Sequence, residues 1–417
     1  MKLLSVVCSI ALYTASGSLI ANHATAPQSR LTTSSGSYQA LTGSVPQNGM
    51  AWLASITTVH YSGGYRVFLG GYHAQMYIRD SALYFTTFSH NGSQYSELEP
   101  VSTNPVSTNN DGTTPYLVRV SAYQDQLFVA VSNNTSDGKG HDYNLLTDTI
   151  TSSWEPKDFG KATSVTTKGI KPFDNGYVQW FGAIGNTEYV VFDTQKSNNT
   201  NEQQLIIYRK DQNATRWNQI ATFSKSYAYP GLGASYHPLQ VVRQGDNEVS
   251  LYHIVYPTSI AYIAKLTLYN GNTPPTYQHV TLPATVDHTN LQSIYYDQYT
   301  NALLLTVNTD GGKGPDAAYR LNIGSSNWTQ VLTVNPLELW QSNIIPSQGN
   351  TASYDFFNVP NIASCIMPAG QKATCTDYPT SPEKSLVLSQ TDSMFRVGQD
   401  AYAASSPTQV FYYKPAQ

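Results

Sequence analysis

Charged residues are scarce in this chain. Asp, Glu, Lys and Arg together make up 12% of its 417 residues, about half of the roughly 25% that is usual in soluble domains. The formal net charge is −4, so the sequence offers no basic field for nucleic acid or for an anionic membrane surface. Exposed helices commonly rely on charge pairs four residues apart, and no long amphipathic stretch of that kind occurs. The shortage of charge therefore favours strands and argues against a nucleic-acid partner.

Long apolar runs are also lacking. No stretch reaches the roughly 20 apolar residues that a membrane helix needs, so no membrane insertion is expected. The N terminus reads MKLLSVVCSIALY and continues to an Ala24-Thr25-Ala26 pattern, which predicts a signal peptide over residues 1–26. We therefore expect a secreted, extracellular protein, with association to a cell surface or wall as an alternative.

Cysteine is rare as well, and its use agrees with export. Cys8 lies in the predicted signal peptide, so only Cys365 and Cys375 remain afterwards. Two cysteines ten residues apart in an exported chain are expected to form a disulfide bond, with two free thiols as the alternative. If the host glycosylates its secreted proteins, Asn-x-Ser/Thr patterns predict N-glycans. The six acceptors are Asn91, Asn133, Asn134, Asn198, Asn213 and Asn327.

What the sequence does contain is a long repeat. Each unit has an apolar run, a turn-rich gap, a strand with a tyrosine and an aromatic residue that opens a last strand. The aromatic markers lie 51 to 63 residues apart, at Tyr95, Trp154, Trp217, Tyr277 and Trp328. A repeat of this length built from short strands predicts the blades of a β-propeller. We expect each marker to pack between neighbouring sheets.

A further strand precedes each apolar run, and we predict that these strands are innermost in the ring. They read AWLASITTVHYS, PYLVRVSAYQ, GYVQWFGAI, HPLQVVRQ and LQSIYYD. The chain after Trp328 has strand patterns for one more, irregular blade. The prediction is an all-β propeller of six four-stranded blades over residues 51–417, with seven blades as the alternative. Residues 27–50 form a separate N-terminal segment, of which 38–46 are expected to close the ring against the last blade.

Two distant segments share a loop pattern, SDGKGHD at 136–142 and DGGKGPD at 310–316. The repeat predicts that they are the same loop, between second and third strands, on different blades. Asp137 with Asp142, and Asp310 with Asp316, are weak candidates for calcium ligands. Asp-Gly is also an ordinary turn sequence, and a lysine between the acids disfavours a cation. We therefore interpret both segments as turns and expect no metal.

The repeat resembles that of the kelch family, in which a strand ends in Gly-Gly and is followed by a spaced Tyr and Trp. Gly70-Gly71 with Tyr84, and Gly311-Gly312 with Tyr319 and Trp328, carry the resemblance, which covers residues 51–335. Two of the five repeats have the diglycine. Kelch propellers include a copper-dependent oxidase type with a Tyr–Cys cross-link, for which a paired Cys365 and Cys375 leave no cysteine. No cofactor is therefore expected.

Aromatic and histidine side chains on or beside the predicted innermost strands are the candidate ligand contacts. Aromatic faces stack on sugar rings, while neighbouring polar groups bond the hydroxyls. The candidates are His60, Tyr61, Tyr72, His73, Trp180, His237, Tyr295 and Trp340. They predict a lectin-like or adhesion module that binds a glycan or glycoprotein.

Two other functions stay open. The predicted innermost strands carry almost no Asp or Glu, which disfavours a hydrolase that uses paired carboxylates. The sequence therefore favours a role without catalysis and predicts no catalytic residue. One alternative is a propeller enzyme that acts on polysaccharide, with Asp80 as its candidate carboxylate. The other is a structural cell-surface or wall protein without a small ligand. The oligomeric state is left open.

Overall fold

The computed structural model describes the chain in segments. They are residues 37–40, 50–75, 78–89, 99–101, 114–134, 141–156, 159, 162–171, 176–196, 199–225, 239–255, 261–286, 291–298, 300–307, 316–334, 343–346, 353–357, 362–366, 374–377, 391–397, 400–405 and 409–414. Side-chain packing is described between residues 55 and 331. A helix long and apolar enough to cross a membrane does not occur in these segments.

The strands of the described segments form seven four-stranded antiparallel sheets. Five of them follow one another from Met50 to Val334, and in each the consecutive strands pair as a meander. We number these five sheets as blades 1 to 5. The all-β propeller with four-stranded blades is therefore confirmed, and the five segments predicted as innermost strands are the first strands of the five blades.

The strand bounds of these blades are as follows. Blade 1 has β2 (Met50–Tyr61), β3 (Gly64–Gln75), β4 (Ile78–Phe88) and β5 (Glu99–Pro100). Blade 2 has β6 (Thr114–Tyr123), β7 (Gln126–Asn134), β8 (His141–Thr149) and β9 (Thr163–Ser164). Blade 3 has β10 (Gly176–Ile184), β11 (Thr187–Lys196), β12 (Asn199–Asp211) and β13 (Asn218–Lys225). Blade 4 has β14 (Gln240–Gln244), β15 (Glu248–Val255), β16 (Tyr262–Tyr269) and β17 (Thr276–Val280). Blade 5 has β18 (Leu291–Asp297), β19 (Ala302–Val307), β20 (Asp316–Asn322) and β21 (Trp328–Val334).

Two sheets follow blade 5. One consists of β22 (Asn343–Pro346), β23 (Ser353–Phe357), β24 (Ile362–Ile366) and β25 (Thr374–Asp377). The other joins β1 (Ser37–Ala40) to β26 (Thr391–Val397), β27 (Asp400–Ser405) and β28 (Gln409–Lys414). In this sheet β1 pairs antiparallel with β28, from Ser37 opposite Lys414 to Ala40 opposite Phe411. The expectation of six blades and its alternative of seven are both wrong, because five blades are formed and the chain after blade 5 gives two further sheets, the second completed by a strand from the N-terminal segment.

The meander gives the propeller two faces. We call one of them the loop face. It is the side on which the first strands begin and on which the second strands connect to the third strands. The tight turns between first and second strands lie on the opposite side, which we call the turn face. The two Asp-Gly segments connect β7 to β8 and β19 to β20. The prediction that they are equivalent second-to-third-strand loops is therefore confirmed, and both belong to the loop face.

Hydrogen bonds link the first strand of each blade to that of the next. At the blade 1–blade 2 interface the Val120 backbone N–H donates to Ser55 Oγ over 2.8 Å, and at blade 2–blade 3 Ser121 Oγ donates to the Phe181 carbonyl. At blade 3–blade 4 the Arg243 guanidinium donates to the Ala183 carbonyl over 2.9 Å. These bonds join the inner strands of blades 1 to 4 to one another.

The aromatic markers pack against the preceding blade, as predicted. Trp154 lies edge-on to Phe68 and Phe85 of blade 1, with ring centroids 5.5 and 5.3 Å away. Trp217 Nε1 donates to the Thr166 carbonyl in the connection that leaves blade 2. Trp328 Nε1 donates in the same way to the Thr281 carbonyl after blade 4. Tyr277 of blade 4 stacks on Phe223 of blade 3 at 5.6 Å. The position of Tyr95 lies outside the described residues.

The diglycine of blade 1 does not end its strand. Gly70 lies inside β3, where strand pairing continues on both sides. A Cβ atom built there would come within 2.8 Å of the Val118 carbonyl oxygen of blade 2. Glycine is needed at this position because the backbones of two blades approach too closely for any side chain.

Candidate functional site

The predicted ligand contacts are not brought together. His60 and Tyr61 end the first strand of blade 1, on the turn face, where the His60 ring packs on Tyr65 at 4.9 Å. Tyr72 and His73 lie at the other end of the blade, in the last residues of β3 near the loop face. A single ligand at the mouth of the channel could not contact both pairs.

Burial further reduces the predicted set. Trp180 is 3% exposed and packs in the apolar cluster between blades 3 and 4. Tyr295 is 4% exposed in blade 5. The proposal that these two rings contact a ligand is therefore corrected, because both are used for packing. His237 and Trp340 lie outside the described residues.

The remaining predicted sites are placed by the backbone. Asp142 lies in β8 and Asp316 begins β20, while Asp137 and Asp310 lie outside the described residues. Among the described residues, no three His, Cys, Asp or Glu side chains are grouped as a metal site requires. The candidate carboxylate Asp80 lies opposite His73 in the pairing of β3 with β4.

The modification sites are placed in part. Asn213 and Asn327 are exposed in turns between third and fourth strands. Asn133 and Asn134 end β7, and Asn91 and Asn198 lie outside the described residues. Cys365 and Cys375 are direct partners in the antiparallel pairing of β24 with β25. Opposed positions of this kind have the short Cα separation that a disulfide bond needs.

A different group of residues stands out at the interface between blades 3 and 4. On β11, Tyr189 and Val191 pack in the apolar cluster shared with blade 4. Because side chains alternate along a strand, Asp193 lies on the same side of the sheet. Asp193 is 6% exposed and pairs with Tyr177 near the start of β10. The apolar interface therefore ends in a buried carboxylate on the loop-face side.

Arg119 of blade 2 supplies the opposite charge. Its neighbours Val118 and Val120 pack against blade 1, so alternation turns Arg119 toward blade 3. Burial lowers the pKa of Arg119 to about 10, and the charge of Asp193 opposes that shift. Alternation therefore places Arg119 and Asp193 on opposite sides of the blade 3 sheet, and their charges still attract each other.

Tyrosines of blade 4 complete this group. Burial raises the pKa of Tyr277, and interaction with the neighbouring Tyr262 hydroxyl and with the charge of Asp193 raises it further. Tyr262 is stacked on His279, with ring centroids 3.9 Å apart and planes inclined by 25°. His279 is exposed, whereas Tyr262 is buried. We call Arg119, Asp193, Tyr262 and Tyr277 the Asp193 cluster.

Gln179 lies beside this cluster on the first strand of blade 3. The hydrogen bond from Ser121 to Phe181 aligns the first strands of blades 2 and 3. Arg119 precedes Ser121 by two residues and Gln179 precedes Phe181 by two residues, so both lie nearer the loop face. Gln179 is the extra residue of a β-bulge between Val178 and Trp180. It is 3% exposed, and its Oε1 accepts no hydrogen bond within the described part of the chain. A buried amide oxygen without a donor costs about 1–3 kcal/mol.

The arrangement combines a buried charge pair, a phenol whose pKa is raised and a buried amide oxygen without a donor. Groups whose pKa values are shifted by burial and by a specific charge partner are concentrated at functional sites. Sequence reasoning missed all of these residues. A usable pattern existed for two of them, because Arg119 interrupts the apolar alternation of PYLVRVSAYQ and Asp193 ends the apolar run EYVVFD.

Comparison with known proteins identifies no family. No protein-family profile matches the chain, so the kelch resemblance stays a prediction. No curated protein matches it either.

Solved structures resemble the chain at low identity. A subtype N11 neuraminidase-like protein of the flat-faced bat isolate H18N11 is 10% identical, with TM-score 0.39, covering 84% of this chain and 96% of that one. A Trypanosoma rangeli sialidase in complex with sialic acid is 8% identical, with TM-score 0.43, covering 93% of this chain and 58% of that one. An alpha-L-arabinofuranosidase from Lactobacillus brevis is 10% identical, with TM-score 0.38, covering 62% and 85%. Likenesses at this level carry no conclusion about function.

Proposed function

We propose that this protein is a carbohydrate-active β-propeller, an enzyme that acts on polysaccharide at the Asp193 cluster. The supporting observation is the buried carboxylate of Asp193, which interacts with the guanidinium of Arg119 and the phenol of Tyr277. Blades 2, 3 and 4 each contribute to this group.

Three members of the cluster have roles that their chemistry suits. Hydrolysis of a glycosidic bond passes through a transition state with positive charge on the sugar ring, and a carboxylate stabilises that charge. Asp193 is assigned this role. With its pKa at about 10, Arg119 stays protonated at neutral pH, orients Asp193 and donates hydrogen bonds to sugar hydroxyls. Tyr277, whose pKa is raised, also stays protonated and acts as a donor.

A second candidate function is glycan binding without cleavage. The observation that favours it is the stacked pair of Tyr262 and exposed His279, which offers an aromatic surface of the kind that packs on sugar rings. Both functions place a carbohydrate on the loop face. They differ in whether Asp193 reacts or only binds.

The experiment compares wild type with Asp193→Asn on a glycan array and in a reducing-end assay with starch, cellulose, xylan, arabinan and pectin. The enzyme proposal expects sugar release by wild type and a loss of about a hundredfold or more in the variant. Asp211→Asn is the matched control, because Asp211 pairs with Arg209 at the end of β12 on the turn face. Binding without release supports the second candidate, and silence in both assays overturns both.

We further propose that the protein is exported, on the basis of the N-terminal pattern MKLLSVVCSIALY and the acceptor asparagines. Cleavage after residue 26, a disulfide bond between Cys365 and Cys375 and glycans on exposed asparagines are expected together. N-terminal sequencing of protein from the culture medium tests the first. Intact mass before and after reduction with alkylation, and before and after glycosidase treatment, tests the others. An uncleaved intracellular product would contradict export.

A further inference from the structure

Two buried glutamines lie on first strands, and they differ in their hydrogen bonding. Gln240 begins β14 of blade 4 and is 8% exposed, and its Oε1 accepts a bond of 2.9 Å from the Tyr296 backbone N–H of blade 5. Gln179 on β10 of blade 3 is 3% exposed, and its Oε1 accepts no hydrogen bond within the described residues. Roughly nine in ten buried polar groups are bonded, so Gln179 needs an explanation.

Packing does not explain why a glutamine is buried there. Phe181 and Ala183 pack against blade 2, as alternate residues should. Val178 also packs against blade 2, although it lies two residues from Trp180, which packs against blade 4. Gln179 is therefore the residue inserted where the alternation reverses, and an apolar side chain in its place would have no buried polar group to satisfy. Bulges are frequent next to binding sites, where they redirect a side chain.

The pairings on either side place Gln179 beside the Asp193 cluster. Tyr177, two residues before it, pairs with Asp193. Phe181, two residues after it, accepts the hydrogen bond from Ser121 of blade 2. Gln179 is thus about 7 Å of strand from the residue that pairs with the carboxylate, a length that one sugar unit with its substituents spans. A sugar held at Asp193 would bring a donor to the unbonded oxygen.

The burial of Gln179 limits which part of a sugar can reach it. An amide oxygen needs an O–H or N–H donor, and with 3% of the residue exposed only a small projecting group can approach. On a pyranose the secondary hydroxyls are attached directly to the ring. The primary hydroxyl of a hexose is one carbon further out, whereas a pentose in its pyranose form lacks this arm. The hydroxymethyl group is therefore the part of a sugar that best fits this acceptor.

We propose that Gln179 is a specificity-determining residue, whose Oε1 accepts a hydrogen bond from the hydroxymethyl group of a hexose unit bound at the Asp193 cluster. This inference rests on the proposed function and names its class of substrate, a hexose-based rather than a pentose-based polysaccharide. A site built around a buried acceptor rejects an analogue without the hydroxyl, because the acceptor is then left unpaired.

The test is isothermal titration calorimetry with the methyl glycosides of glucose, galactose and mannose, each beside its analogue with methyl in place of hydroxymethyl. Wild type should bind at least one hexoside about tenfold more tightly than its analogue, because one hydrogen bond to a buried group is lost. In Gln179→Met the two affinities should become equal, since methionine fills similar space with a far weaker acceptor. A purely structural change would weaken both ligands by the same factor.

Thermal midpoints separate recognition from packing, with Gln240→Met as the matched control. Gln179→Met should keep or raise the midpoint, because it removes a buried polar group that has no partner within the described residues. Gln240→Met should lower the midpoint, because the Tyr296 backbone N–H loses its acceptor. The preference for the hydroxymethyl group should persist in Gln240→Met at its wild-type value.

The outcomes separate this inference from the proposed function. Equal affinity of wild type for every hexoside and its analogue overturns the inference, and so does a preference that survives in Gln179→Met. A midpoint that falls as far in Gln179→Met as in Gln240→Met shows a packing role and also overturns it. A wild type that binds none of these glycosides overturns it as well. The proposed function is measured separately, by sugar release from polysaccharide and its loss in Asp193→Asn.

Discussion

At the blade 2–blade 3 interface the aromatic marker is Trp217, and at the blade 3–blade 4 interface it is Tyr277. Trp217 is fully buried, and its Nε1 donates to the Thr166 carbonyl over 2.6 Å. Its surroundings are apolar residues of both blades. Tyr277 occupies the corresponding place in its blade, but it contacts Tyr262 and interacts with Asp193.

The same position of the repeat has different roles at the two interfaces. An indole fills the interface and satisfies its single N–H with one carbonyl, so a tryptophan closes the junction between two blades. A phenol is smaller and leaves a hydroxyl that must be bonded, which draws further polar groups to the interface. The blade 3–blade 4 interface is therefore partly polar, whereas apolar side chains fill the blade 2–blade 3 interface. Of these two, only the blade 3–blade 4 interface is a candidate site.

The largest effect is expected from removing Trp217, the side chain that fills the blade 2–blade 3 interface. Trp217→Ala deletes a fully buried ring and should lower the free energy of unfolding by about 3–5 kcal/mol. Equilibrium denaturation followed by tryptophan-independent circular dichroism measures it. Trp328→Ala is the comparison, because Trp328 is partly exposed and should cost less. Equal losses of unfolding free energy in the two variants would contradict the idea that the extent of burial of each tryptophan determines the loss.

The next largest effect on stability is expected from the charge pair of Arg119 and Asp193. Asp193→Asn leaves the guanidinium of Arg119 without its carboxylate and should cost about 2–3 kcal/mol, since one partner of a buried pair is removed. Replacing both groups in Arg119→Met/Asp193→Leu should restore most of that stability, because apolar residues of similar volume often substitute for a buried pair. Thermal and urea unfolding of the wild type and of these two variants measures both changes in stability.

Restored stability in the double variant would not restore function. Carbohydrate cleavage and binding should stay lost in Arg119→Met/Asp193→Leu, which separates a functional cluster from a structural one. A double variant that is stable and fully active would show that the charge pair only holds blades together. The polar interface would then differ from the sealed one in composition alone.

Sequence alone predicted the sealed interfaces better than the polar one. The spacing of Trp154, Trp217 and Trp328 is periodic, and a packing role follows from repetition. Asp193 and Arg119 are not periodic, and they belong to blades whose sequences are 74 residues apart at these positions. Their proximity depends on how blades 2 and 3 pack together, which no local sequence pattern indicates.

The misplaced ligand residues have a similar physical cause. Trp180 was expected to face the channel because it lies on a first strand, but first strands are buried on both faces by neighbouring blades. The bulge at Gln179 also reverses the alternation, so the pattern of the sequence could not tell which side chains pack. The blade count failed for a related reason, since β1 lies far from the strands that it completes.

A smaller effect is expected from the hydroxyl that marks the polar interface. Tyr277→Phe keeps the ring stacked on Phe223 but removes the hydroxyl that interacts with Tyr262 and Asp193, and should cost no more than about 1 kcal/mol. Tyr319→Phe is the matched control, because the Tyr319 hydroxyl bonds Thr285 over 3.1 Å between blades 4 and 5. Both variants should lose similar stability, while only Tyr277→Phe should lower the rate of sugar release. Loss of activity in both would place the effect in blade packing.

The smallest effect is expected on the dependence of stability on pH. Burial raises the pKa of Tyr189 to about 12, with Arg209 opposing the shift. A tyrosine whose pKa is raised by folding stabilises the native state fully below its unfolded value near 10, and that contribution is lost as pH rises toward 12. Thermal midpoints should therefore fall from pH 10 upward.

Tyr189 lies in the apolar cluster between blades 3 and 4, so its titration reports on that interface. In Tyr189→Phe the alkaline fall of the thermal midpoint should be shallower than in wild type, because the buried phenol that must ionise is gone. The neutral-pH midpoint will also drop slightly, since the hydroxyl donates to the Tyr269 carbonyl. A variant whose midpoint falls as steeply as that of wild type would show that alkaline unfolding begins elsewhere in the ring, and the polar interface would not be its weak point.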